Sequence, residues 1–154
     1  MPPAPDPASR PADLHLTFPA SPSDVRENLA RMLAAMPLAG LSDSGRGIAE
    51  IVLAEVLNNI AEHAYADKAG PVTVTLRDTA QGIGCLVVDQ GTPLPGGLLP
   101  DGTLPPQTGL ALADLPEGGF GWHLIRRLTL GLAYTRTAGA NRLGFLLLRG
   151  DEMP

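Results

Sequence analysis

The 154-residue chain has a single cysteine, Cys85, so no disulfide can form within it and a reducing compartment is expected. Cations are scarce as well: 11 Lys and Arg stand against 16 Asp and Glu, a formal net charge of −5. Phosphate neutralisation needs clustered Lys and Arg, so a large nucleic-acid footprint is excluded. No uninterrupted apolar run is long enough to cross a bilayer. The proline-rich start carries no basic stretch followed by an apolar one, so no secretory signal is read there. A cytoplasmic protein without membrane or direct nucleic-acid partners is the expectation. His63 and His123 lack a companion Cys, His or acid at metal-site spacing, which argues against zinc. There is no internal repeat.

What the chain does have is apolar bulk. Hydrophobic residues make up 44% and charged residues 18%, the balance of a folded globular domain. Residues 1–13 are proline-rich and are expected to form a disordered tail, leaving 14–150 as one domain. Leu14, Leu16 and Phe18 alternate with His15 and Thr17 as in a half-buried strand. A helix capped by Ser21 or Ser23 follows, then a second from about 42–47 to about 65. Strands are expected at 72–76 and 83–88, a long Gly-, Pro- and Leu-rich loop at 91–119, and a third helix at about 121–129. Two closing strands, 132–137 and 142–148, meet at a turn containing Gly139, Ala140 and Asn141. Short turns between neighbouring strands imply a mainly antiparallel sheet with helices on one face, a two-layer α+β sandwich.

Three features could carry chemistry. On the second helix, Val52, Leu53, Val56, Leu57, Ile60 and Ala64 share one arc of roughly 140°. Glu55 and Asn59, one turn apart, sit on its edge, and Asn58 points about 100° away from Asn59. A carboxamide and a carboxylate so placed can serve a hydrated Mg²⁺ and a nucleophile, or simply border a core. Next, Asp89-Gln90-Gly91 closes the apolar strand 85–88, where an acid can accept from an exocyclic amine or merely begin a turn. Last, Gly118-Gly119-Phe120-Gly121 leads into Trp122-His123-Leu124-Ile125; glycines at a helix start expose N–H groups to an anion, or cap a loop. The spacing is not that of a Walker A loop, and no lysine follows. Cys85, Phe120 and Trp122 read as packing residues.

Together, in this order, the three resemble the boxes of the GHKL (Bergerat-fold) ATPases. The run Glu55-Val56-Leu57-Asn58-Asn59-Ile60-Ala61-Glu62-His63-Ala64-Tyr65 is similar to the N box of their anti-sigma-factor serine kinase branch. Asp89-Gln90-Gly91 resembles the G1 box and the run from Gly118 to Ile125 the G2 box, while Thr137-Ala138-Gly139-Ala140-Asn141-Arg142 resembles the final hairpin. The resemblance implies a Bergerat-fold sheet, mixed but mainly antiparallel, with ATP and Mg²⁺ as cofactors. It implies that Asn59 ligates the metal, Asp89 bonds the adenine amino group and Gly91 lets the ring pass. Gly118, Gly119 and Gly121 would close over the phosphates, with Leu124 of the same run also at the nucleotide, and Glu55 would act as general base.

The resemblance further implies a serine/threonine protein kinase that regulates transcription by partner switching. Its partners would be a sigma factor and a STAS-type antagonist carrying the acceptor Ser or Thr, with a homodimer as a further arrangement. The competing function is an ATP-gated binding module without phosphoryl transfer.

Overall fold

The computed structural model describes residues 13–101 and 119–150. The expected tail, apart from Asp13, lies outside the described residues, as do Gly118 and most of the long loop. The strands are β1 (Leu14–Pro19), β2 (Pro71–Asp78), β3 (Ile83–Asp89), β4 (Leu130–Thr137) and β5 (Ala140–Leu147). The helices are α1 (Pro22–Ala34), α2 (Asp43–Asn59) and α3 (Gly119–Leu128), and α2 runs on into a π-helical turn at Ile60–Ala64.

Local chemistry sets the helix starts. The Ser21 hydroxyl accepts from the Asp24 amide at 3.2 Å with Pro22 in the first turn, and the Ser42 hydroxyl accepts from the Gly45 amide at 3.1 Å. The sheet order is β1-β2-β3-β5-β4, and every ladder is antiparallel. The expected α+β architecture is therefore present. The sheet is wholly antiparallel, not mixed as expected, because no two like-directed strands lie side by side: β5 separates β3 from β4.

The core lies between the sheet and the helices. α2 buries Val52, Leu53, Val56 and Leu57, and α3 buries Trp122 and Ile125. Facing them are Val72, Val74, Leu76, Ile83, Cys85, Val87, Phe145 and Leu147. Burial raises the Cys85 thiol pKa, so it stays neutral and acts as a small apolar residue.

Two strand alternations position the site. β3 buries Ile83, Cys85, Val87 and, last in the same phase, Asp89. β5 buries Asn141, then Leu143, Phe145 and Leu147. Asp89 and Asn141 are register partners, so the two-residue period brings a carboxylate and a carboxamide side by side on the helix-covered face. The β4–β5 turn is tighter than expected. Ala138 and Gly139 both take positive φ, 53° and 79°, the pattern of a two-residue hairpin. Ala140 and Asn141 consequently belong to β5 rather than to the turn.

Candidate functional site

Glu55 and Asn59 are both half-buried on the flank of α2, and Asn58 is exposed. After Asn59 the helix widens: the Tyr65 amide donates to the Ile60 carbonyl at 3.0 Å, a bond spanning five residues. The widened turn leaves the Ala64 carbonyl to accept the Thr92 amide at 2.9 Å. His63 lies within this widened turn. Its side chain is largely exposed, 3.9 Å from Glu62, while the residue still borders the cavity described below.

The segment after β3 is stitched to that turn. Gly91 presses against Ala64 so closely that a Cβ there would collide with the Ala64 carbonyl and methyl groups. The glycine is needed for helix-to-loop contact, whatever passes on its other side. Gly91→Ala is expected to cost about 1–3 kcal/mol, as overpacking against backbone does; urea denaturation of the variant beside the parent measures it.

Asp89 is the polar centre. Its Oδ1 accepts from the Gly91 amide at 2.9 Å and from Asn141 Nδ2 at 2.8 Å. Oδ2 has no hydrogen bond among the described residues, and Asp89 lines the cavity. Asn141 is held in turn: its Oδ1 accepts from the Tyr134 hydroxyl at 2.6 Å and from Arg136 Nη1 at 2.9 Å. Arg136 Nη1 also donates to the Gly91 carbonyl at 2.6 Å, and the Tyr134 hydroxyl accepts from the Leu94 amide at 3.1 Å. These bonds fix the Asn141 amide with its NH₂ toward Asp89.

The cavity measures about 440 Å³ and runs from Asp89 and Asn141 past Leu143 and Trp122 to Asn59 and His63. Its size and largely apolar wall with few polar groups suit a small organic ligand. One wall is the chain from Thr92 to Pro95 together with Pro100, whose carbonyl accepts from Arg126 Nε at 2.8 Å.

The structure brings some of the sequence-designated residues together and leaves others apart. Asn59 and Asp89 line one cavity. Glu55 does not line it, but its Oε2 would lie 2.5 Å from a Cβ on Gly121, so the carboxylate rests against the first turn of α3. A carboxylate there is favoured by the helix dipole. Gly119 opens α3, Gly118 lies outside the described residues, and Leu124 is half-buried on α3 and is not among the residues lining the cavity. Trp122 is both core and cavity wall. Sequence reasoning gave no role to Asn141, Tyr134 or Arg136. The parity of β5, polar Asn141 in phase with Leu143, Phe145 and Leu147, was the available signal.

The class of the protein is that of an ATPase domain. The chain belongs to the histidine kinase-like ATPase domain family, whose family model matches residues 18–145. Among solved structures it is similar to the RsbU and RsbW domains of Rv1364c from Mycobacterium tuberculosis, with a TM-score of 0.58 and 18% identity. That match covers 92% of this chain and 34% of the other, so this chain spans about a third of the solved chain it resembles. No curated protein sequence matches it. Among the described residues no helix is long and apolar enough to cross a membrane.

Proposed function

We propose that the chain is an Mg-ATP-dependent serine/threonine protein kinase of the anti-sigma-factor type, acting on a small STAS-type antagonist and sequestering a sigma factor. The observation that carries the nucleotide half is the Asp89 carboxylate. One oxygen is saturated by two donors and the other is left toward the cavity as an acceptor for an adenine amino group. The RsbW-like fold and the Glu55–Asn59 pair support the kinase half.

The residues fit a magnesium ion. Asn59 borders the cavity with its Nδ2 buried and without a partner among the described residues, and the amide atom that would ligate the ion is its oxygen. The described residues hold no His, Cys, Asp or Glu cluster for a metal. Such a donor set, one amide oxygen, suits an ion that keeps its waters and takes its other ligands from phosphates. When bound, Mg²⁺ would neutralise phosphate charge. Asn59 would hold it.

In this reading Asp89, Asn141 and Gly91 orient the purine, and the amides opening α3 face the phosphates. Glu55 takes the proton of the acceptor hydroxyl as its oxygen bonds the γ-phosphorus. The bond from that phosphorus to the β,γ-bridging oxygen breaks, and ADP leaves. Gly121→Ala tests the Glu55 placement, because the added methyl displaces the carboxylate. Transfer at saturating ATP is expected to slow about tenfold or more in single-turnover measurement, since positioning errors are costly.

The function is tested by incubating the chain with γ-labelled ATP, magnesium and an antagonist encoded beside it. Label on an antagonist Ser or Thr supports the kinase. ATP binding with no transfer supports the ATP-gated module, in which nucleotide binding changes a partner surface.

A further inference from the structure

The π-helical turn ends in a residue that the mechanism above leaves unused. Tyr65 reaches across from the helical layer to the ends of two strands. Its hydroxyl accepts from the Gln90 amide at 2.6 Å and donates to the Pro71 carbonyl at 2.8 Å, so both phenol functions are engaged. Gln90 is the residue directly after Asp89, and Pro71 precedes Val72, the register partner of Asp89 on β2. The ring lies against Gly70, where any Cβ would strike it. On the other side of the same peptide, Gly91 packs on Ala64, and Thr92 donates its amide to the Ala64 carbonyl. Asp89 is thus held from two directions: Asn141 within the sheet, and the Ala64–Tyr65 end of the widened helix.

From this geometry we infer that Tyr65 is a positioning residue for purine selection, its hydroxyl fixing the Asp89–Gln90 peptide so that Asp89 Oδ2 meets an exocyclic amine. The inference rests on the adenine reading of the cavity. Tyr65 lines no part of that cavity and acts through the acid. Burial raises its pKa, with Asp89 adding to the rise, so at neutral pH the phenol keeps the proton it donates to Pro71. Phenylalanine at 65 keeps the ring and releases the Gln90 amide. The exposed Gln90 amide then turns to water, and the Asp89–Gln90 peptide loses its tie to the helical layer while Asn141 and the Gly91 amide still hold Oδ1, so the aim of Oδ2 loosens.

The test compares equilibrium affinities for ATP and ITP in the parent and in Tyr65→Phe, with magnesium and with melting temperatures recorded alongside. ITP carries the same phosphates and sugar but a carbonyl where adenine has its amine. For Tyr65→Phe, ATP affinity is expected to fall about tenfold, the worth of one good hydrogen bond, while ITP affinity stays within about twofold. Equal losses for both nucleotides would make Tyr65 a general structural residue and overturn the inference, as would an unchanged ATP affinity. A parent that binds ATP no better than ITP would instead sink the adenine reading, and the inference with it. Should the variant not fold, the parent decides: the Gln90 amide must be protected from hydrogen exchange, and its NMR signal must shift with ATP and not with ITP. An unprotected Gln90 amide overturns the assignment.

Discussion

Asp89→Asn is expected to lower ATP affinity about 100-fold and to turn the purine preference over, so that ITP binds better than ATP. The argument is one of donor and acceptor count. Two donors, the Gly91 amide and Asn141 Nδ2, converge on Asp89 Oδ1. An asparagine at 89 must offer its carbonyl oxygen to that pair, because its NH₂ there would face two donors. The NH₂ is thereby forced into the place of Oδ2, facing the cavity. Against adenine it sets donor against donor, while against the hypoxanthine carbonyl it makes a hydrogen bond. Calorimetric titration of the variant with each nucleotide measures the inversion. A variant that loses both equally would mean that Asp89 serves the fold alone.

The second large effect falls on chemistry and spares binding. Glu55 lies outside the cavity wall, against the first turn of α3, and removing its carboxylate leaves Asp89, Asn141 and Asn59 untouched. Glu55→Gln is nearly isosteric and cannot take a proton. Transfer to the antagonist is expected to drop by about 10² to 10⁴, the usual contribution of general base catalysis, with ATP affinity within about threefold of the parent. Single-turnover transfer of label, beside nucleotide titration, separates the two quantities. Transfer at the parental rate would remove Glu55 from the mechanism and leave proton removal to another group.

Much of this architecture was legible in the chain itself. The alternation of Leu14, Leu16 and Phe18 marks β1, and the three-and-four spacing from Ile48 to Ile60 marks the buried side of α2 with Glu55 and Asn59 on its flank. Those patterns are strong because each repeats over several residues against one burial surface. What stayed hidden depends on single residues or distant partners. Ala138 takes positive φ without being glycine, so the tight hairpin was not visible and Asn141 read as turn. The π-helical turn alters the helical phase over one turn only, too short a stretch for periodicity to register. Tyr65 meets Gln90, and Asn141 meets Asp89, across 25 and 52 residues. No local pattern encodes such pairs; register does, and register follows from the assembled sheet. Glu55 was expected at the same cavity as Asn59 and Asp89, and lies beside it because α3 packs its Gly121 against the carboxylate.

The most direct measurement is a crystal structure of the chain with magnesium and a non-hydrolysable ATP analogue. The exocyclic amine should lie at about 2.7–3.2 Å from Asp89 Oδ2, with the Asn141 amide still on Oδ1 and the phosphates toward the start of α3. A purine bound with its amine turned away from Asp89, or a nucleotide seated elsewhere on the molecule, would contradict the account.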